Sequence, residues 1–341
     1  MRHRLNTRGS LLVVPAFFIT LLTGIGGGSS LGLGQRKPPD LNLSPEEKTL
    51  ATAIMSAPDP AAKLKAAAAL INKYPKTLIR SRVAEGLADQ ISQDKDAAQR
   101  IQLAGDYQKI FDQESEHNLI IPVLVTAYAD AGQSDQAFTT GAGFLAKQPN
   151  SLRVLVRLTF AATDEERKKN NKFDELGIQY GAKAIEIIEA DKKPDDMSDT
   201  SWTYYKGLRP NLYQSVGSLN LMKGNRVEAK ARFTKAAELA PAEPFSYLML
   251  AGILNDEYNT EAQRVKAMPE GQAKQDATQK VIPMLDAVIE SYARVIATSE
   301  SDARYAQVRQ SYMQDFEAYY KYRHHSTEGM QQLIDKYKAK P

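Results

Sequence analysis

The sequence contains no cysteine among its 341 residues, and it has only four histidines and one tryptophan. The absence of cysteine excludes disulfide bonds, thiol chemistry and a lipid-modified N-terminal cysteine. The histidines are poorly placed for a metal, because the neighbours His324 and His325 would point about 100° apart on a helix. The chain must therefore be held together by packing, and the sequence predicts no metal site.

The sequence also lacks a charge excess once its N-terminal segment is set aside. It holds 44 basic and 41 acidic residues. Residues 1–34 contain three arginines and no acid, so the remaining chain has 41 residues of each sign. A neutral chain offers no basic surface for phosphate groups, and we therefore expect no nucleic-acid partner.

Motifs that carry catalysis are missing as well. No glycine-rich loop ends in Gly-Lys-Ser/Thr, and no dinucleotide-binding fingerprint follows a strand. Glu114 and His117 have the spacing of half a di-metal motif, but no second such pair occurs. The acid pairs at 165–166 and 195–196 are expected in loops, without the apolar pocket that raises a catalytic pKa. We therefore expect no enzyme and no cofactor.

The N-terminus has the three-part pattern of a secretory signal peptide. Residues 1–8 are basic, residues 11–25 are almost wholly apolar, and a run of small residues follows up to position 34. Small side chains at the −3 and −1 positions predict a cut before Gln35. The sequence thus predicts a signal peptide over 1–34 and an exported protein of the periplasm or cell envelope.

An uncleaved inner-membrane anchor is the alternative for this segment. A helix of about 15 apolar residues spans only ~22 Å, which is short of the ~30 Å hydrocarbon core. Membrane association is expected only if the segment is retained. The charged, proline-containing residues 35–43 form a linker to the remainder of the chain.

What the chain does contain is helical periodicity, most clearly in residues 210–243. Its apolar and small residues fall on two stripes, with Tyr213, Val216, Gly217 and Asn220 on the first and Ala229, Phe233 and Ala236 on the second. Gly224 tolerates the left-handed backbone that ends a helix, and Pro241 ends the second helix. The stretch is therefore predicted to form two helices joined by a tight turn.

This stretch resembles a tetratricopeptide repeat in nearly all of that family's preferred positions. Asn220 departs from the family, which usually has a large aromatic residue there. Residues 118–151 match the same pattern through Tyr128, Gly132, Ala137 and Pro149, and residues 44–77 match it more weakly. The resemblance implies an all-α, right-handed solenoid of antiparallel helical hairpins.

About six helical pairs are predicted over residues 44–300, followed by a C-terminal helical pair and basic tail over 301–341. In the unit that begins at Pro244, an insertion over residues 255–274 is expected to interrupt the pattern. Trp202 is expected to pack against a neighbouring helix rather than to form a ligand platform. The aromatic and basic residues 319–325 indicate an amphipathic helix, with a nucleic-acid or polysaccharide site as the alternative.

A solenoid of this kind binds partners on the concave face formed by the first helix of each pair. The resemblance places the following residues of three consecutive units in this groove: Arg153, Val156, Phe160, Asn211, Gln214, Ser218, Met222, Phe245 and Leu248. Their mixed and rather apolar character favours an extended or helical protein segment as the ligand. We therefore expect a protein-interaction scaffold of the cell envelope that binds an unidentified protein or peptide. A helical envelope enzyme or polysaccharide-binding domain is the alternative.

Overall fold

This computed structural model describes residues 42–195 and 197–338. The regular secondary structure of these residues is helical. Within those ranges there are fifteen α-helices, two short 3-10 turns and no strand, so the predicted all-α class is confirmed. The predicted signal peptide and most of the predicted linker lie outside the described residues.

The helices follow one another at short intervals. Their bounds are α1 (Pro45–Ser56), α2 (Pro60–Lys73), α3 (Arg80–Ser92), α4 (Ala97–Ile110), α5 (Glu114–Asp130), α6 (Ser134–Lys147), α7 (Leu152–Arg167), α8 (Asp174–Glu189), α9 (Asp199–Gly207), α10 (Arg209–Met222), α11 (Arg226–Leu239), α12 (Pro244–Lys266), α13 (Gln272–Thr298), α14 (Ala306–His324) and α15 (Met330–Asp335). The 3-10 turns are Asn171–Phe173 and Ala303–Tyr305.

Consecutive helices pack in pairs. Contacts join α1 to α2, α3 to α4, α5 to α6, α7 to α8, α10 to α11 and α12 to α13. Each pair also contacts the next one along the chain, for example α11 with α12 and α13 with α14. Because short loops bring each helix back along its predecessor, the pairs are antiparallel hairpins. The predicted tetratricopeptide-like solenoid of helical hairpins is therefore confirmed.

The ends of the hairpins follow from local chemistry. The Ser44 side chain accepts from the Glu47 amide, and the Glu47 carboxylate accepts from the Ser44 amide, so a reciprocal pair of bonds starts α1. Gly224 has φ +81° after α10, and Gly132 has φ +70° after α5. Both glycines occupy the left-handed conformation that a helix C-terminus needs, at the two turns predicted from the sequence. Pro241 lies just beyond the end of α11.

The helices approach closely where α8 meets α7 and α10. Gly177 and Gly181 occupy one face of α8, and no side chain larger than hydrogen fits there. A Cβ at Gly177 would lie 2.4 Å from the Ala162 Cβ, and one at Gly181 would lie 2.4 Å from the Val216 Cγ2. Trp202 is buried in the same cluster, as predicted.

Ion pairs of buried guanidinium groups connect the first hairpins. The Arg80 guanidinium donates two hydrogen bonds to Glu116, at 2.6 and 2.8 Å. Asp130 accepts from Arg100 at 2.5 Å and from Arg157 at 2.6 Å, so one carboxylate joins α4, α5 and α7. Guanidinium groups are suited to such sites because they are weakly hydrated and present several donors in a fixed plane.

One prediction about the fold is wrong. Residues 255–274 do not interrupt the hairpin, because α12 continues to Lys266 and α13 begins at Gln272. The inserted residues lengthen both helices, and only a short loop separates them. The physical reason is that residues 255–266 contain neither glycine nor proline, while Tyr258 and Val265 continue a buried stripe.

Candidate functional site

The predicted groove residues lie on three first helices. Arg153, Val156 and Phe160 are on α7, Asn211, Gln214, Ser218 and Met222 are on α10, and Phe245 and Leu248 are on α12. Their accessibility differs widely, and it divides the set into residues that pack between helices and residues that reach solvent.

Val156, Gln214 and Leu248 are buried, with at most 6% of each exposed. The Gln214 amide donates to the Glu243 carboxylate at 2.6 Å and to the Ser246 hydroxyl at 3.1 Å. These two bonds attach α10 to the start of α12. All three residues thus contribute to packing between neighbouring helices, and a ligand could contact them only after a rearrangement.

Helix α14 lies against α12 near Leu248. The Tyr312 hydroxyl donates to the Leu248 carbonyl at 3.4 Å, and the Tyr319 hydroxyl donates to the Asn255 side chain at 3.0 Å. Tyr320 is buried, whereas Tyr322 is 72% exposed. The residues 319–325 thus belong to an amphipathic helix that packs along α12 and α13.

Most of the accessible part of the predicted groove lies on α7 and α10, which contact each other directly, and the half-buried Phe245 lies on α12. Arg153 and Met222 are exposed, and Phe160, Asn211 and Ser218 are half-buried. Met222 stands out because a side chain of its size is 62% exposed on an otherwise well-buried helix.

A pocket of about 400 Å³ opens beside Met222. It is formed by the end of α7, the turn that follows it, the start of α8 and the end of α10. Its lining residues are Glu166, Lys169, Asn171, Asp174, Met222 and Lys223.

The turn between α7 and α8 is held by the side chain of Glu165. Lys168 Nζ donates to the Glu165 carboxylate at 2.8 Å, and Asn170 Nδ2 donates to it at 2.6 Å. Lys169 adopts a left-handed backbone with φ +65°, which is uncommon for a residue with a side chain. This compact turn brings Glu166 and Asp174 to the same pocket.

The floor of the pocket is acidic. Asp174 is only 4% exposed, and its Oδ1 accepts no hydrogen bond from any described residue. Burial raises the pKa of the Asp174 carboxyl, and the positive charge of Lys223 opposes the rise. Burial also raises the pKa of Glu166, and the neighbouring Asp174 raises it further. The two carboxyls therefore face a common space and repel each other when both are ionised.

This corrects the sequence-based expectation for the acids at 165–166. They do not lie in a loop, because α7 continues to Arg167, and Glu166 lines a pocket that raises its pKa. The reason is tertiary, since the start of α8 and the end of α10 enclose the last turn of α7. The close packing at Gly177 and Gly181 was not predicted either, although their four-residue spacing indicates close helix packing.

Within residues 42–195 and 197–338, no group of three or more histidine, cysteine, aspartate or glutamate side chains could hold a metal ion. None of the helices formed by those residues is long and apolar enough to cross a bilayer.

Comparison with protein-family models finds no match to this sequence. Comparison with curated proteins finds no match either. Among solved structures, the chain is similar to the Pseudomonas aeruginosa protein pilF, with 13% identity and a TM-score of 0.38 over 75% of this chain and 96% of that one. It is also similar to a tetratricopeptide repeat protein from Parabacteroides merdae, with 11% identity and a TM-score of 0.40 over 86% and 99% of the two chains.

These likenesses are distant, and the assignment of the fold rests on the chain's own hairpins. Helix pairs in series, left-handed glycines at the predicted turns and small residues at the helix crossings define a tetratricopeptide-like solenoid.

Proposed function

We propose that this chain is a protein-interaction module that binds a peptide or protein segment across α7 and α10. The observation that carries the proposal is the exposure of Met222, one helical turn from the half-buried Ser218 on α10, which contacts α7 with its half-buried Phe160. An exposed thioether next to polar side chains is suited to contacts with varied segments, because methionine adapts its shape at little cost.

The surface test uses one substitution in the groove and one outside it. Met222→Glu places a charge in the proposed surface. Val227→Glu is the matched control, because Val227 is also apolar and is 87% exposed, but it lies on the second helix of the same hairpin. Immobilised wild type, Met222→Glu and Val227→Glu proteins are incubated with envelope extract, and the retained proteins are identified by mass spectrometry.

We expect at least one protein to be retained by wild type and by Val227→Glu but not by Met222→Glu. It is then purified and its affinity for the three variants is measured directly. Equal binding of that protein by all three variants would place its contact elsewhere and remove the proposal for α7 and α10.

We further propose that the chain is exported to the periplasm or cell envelope after cleavage before Gln35. The basic, apolar and small-residue order of residues 1–34 supports this. Mass spectrometry of the protein isolated from its own cells should find an N-terminus near Gln35. Recovery of chains that still begin at Met1 would instead favour the membrane-anchored form.

One observation favours an enzyme as a second candidate, namely the convergence of Glu166 and Asp174 on a pocket. Acid–base catalysis by two carboxyls usually requires that their environments separate their pKa values. Here burial is the largest influence on both carboxyls and shifts both pKa values in the same direction, and the binding function is therefore preferred. Hydrolysis of envelope polysaccharides that disappears in Glu166→Gln would reverse this preference.

A further inference from the structure

We propose that the pocket beside Met222 accepts an arginine side chain of the bound segment, an inference that rests on the proposed binding function. The first argument is the state of Asp174. A buried carboxylate oxygen without a donor costs free energy, and folded proteins seldom retain one without a use for it. Asp174 lines the pocket, so a guanidinium group entering there would place donors next to this carboxylate and would reach the shielded Oδ1 after a small displacement of the side chain.

The second argument is the arrangement of charge from floor to rim. Asp174 and the half-buried Glu166 form the floor, whereas Lys169 and Lys223 are exposed at the rim. Lys223 forms an ion pair with Glu175, which neutralises much of its charge. The Lys169 ammonium stands in water, where its repulsion of an incoming cation is screened. The interior therefore attracts positive charge although the rim contains two lysines.

The third argument concerns which cation fits. Guanidinium is planar, weakly hydrated and carries five donors, so it can bind two separate carboxyls while losing less hydration than an ammonium group. The Met222 side chain at the rim offers apolar contact for the aliphatic stem of arginine. A pocket of about 400 Å³ has room for one such side chain.

The probe is the blocked tripeptide Ac-Leu-Arg-Leu-NH2, compared with the same peptide containing citrulline, a neutral isostere of arginine. Binding to the full chain is followed by NMR chemical shifts or calorimetry. We expect a Kd in the millimolar range for the arginine peptide, as is usual for a single anchored side chain, and at least tenfold weaker binding of the citrulline peptide.

Two variants locate the site. Asp174→Asn and Glu166→Gln should each weaken binding of the arginine peptide by at least tenfold. Glu186→Gln is the matched control, because Glu186 is an exposed carboxylate on the same helix as Asp174 but does not line the pocket. It should bind like the wild type. Asp174→Asn should also melt at a temperature no lower than wild type, since it removes a charge whose burial cost exceeds what Lys223 offsets, so weaker binding would not reflect unfolding.

Several outcomes would overturn this proposal. They are equal binding of the arginine and citrulline peptides, unchanged binding by both pocket variants, and saturation of the pocket by calcium or by inorganic phosphate with no effect of the arginine peptide. The tripeptide assay is independent of the capture experiment with Met222→Glu. A failure here with a partner still captured through α10 would leave the interaction function intact and remove only the arginine site.

Discussion

The close packing of α8 against its neighbours allows a quantitative prediction. In Gly181→Ala, the new methyl group would lie 2.4 Å from the Val216 Cγ2 and 2.9 Å from the Thr159 Cγ2. Carbon atoms prefer separations of roughly 3.5–4.0 Å, so a displacement of about 1 Å is required. Val216 and Thr159 are β-branched and have few alternative rotamers within a helix, so α8 itself must move.

Two opposing contributions set the size of the effect. Overpacking of a core costs roughly 1–3 kcal/mol and occasionally more, whereas replacing glycine with alanine inside a helix gains about 1 kcal/mol. The contact distance is severe and the neighbours are stiff, so the upper part of the first range applies. We therefore expect Gly181→Ala to lower the free energy of unfolding by about 2 kcal/mol.

Gly143→Ala is the control for this prediction. Gly143 is exposed within α6, and a Cβ there would meet nothing within 4 Å. Only the helix propensity changes, so this variant should be stabilised by about 0.5–1 kcal/mol. Urea unfolding is followed by circular dichroism. The midpoints of the variants are compared rather than fitted free energies, because repeats that contact only their neighbours need not unfold in one step. A Gly181→Ala midpoint equal to or above that of wild type would refute the close packing of α7, α8 and α10.

Two further predictions concern buried charge. Asp130→Ala should lower the free energy of unfolding by about 3 kcal/mol, because it leaves the guanidinium groups of Arg100 and Arg157 without their carboxylate. A loss below about 1 kcal/mol would contradict the ion-pair geometry. The pKa of Asp174 is raised in the fold, so the contribution of this residue to stability should fall as pH rises from the ordinary aspartate pKa of about 3.9 through the raised value. Asp174→Asn removes this dependence, so its urea midpoint should exceed that of wild type at neutral pH and approach it in acid. Parallel pH profiles of the two proteins would show that the fold does not raise the pKa of Asp174.

The regular hairpin over residues 210–243 shows how far the sequence can be interpreted unaided. Gly224 ends α10 in the left-handed conformation, and Pro241 follows the end of α11, both as predicted. Such signals are local, because the backbone conformations open to glycine and proline depend on the residue itself. Helix positions and the pairing of neighbours follow from signals of this kind.

Accessibility was much harder to predict. Gln214 and Leu248 occupy groove positions by the family pattern, yet Gln214 bonds to Glu243 and Leu248 contacts Tyr312. Tyr312 is 64 residues from Leu248 along the chain. A repeat pattern cannot predict a contact between residues so far apart in the sequence, since this contact depends on how α14 folds back along α12. The groove residues remain a prediction, now concentrated on α7 and α10.

The sequence by itself thus determined the helices, their turns and their pairing into a solenoid, because periodicity, caps and turn residues act over a few positions. Tertiary structure alone decided which of those helices expose a surface and which carboxyls share a pocket. Nothing in the sequence distinguishes Glu166 and Asp174 from acids on the protein surface. Burial raises the pKa of both carboxyls, and the charge of Asp174 raises the pKa of Glu166 further; both effects exist only when the helices are packed.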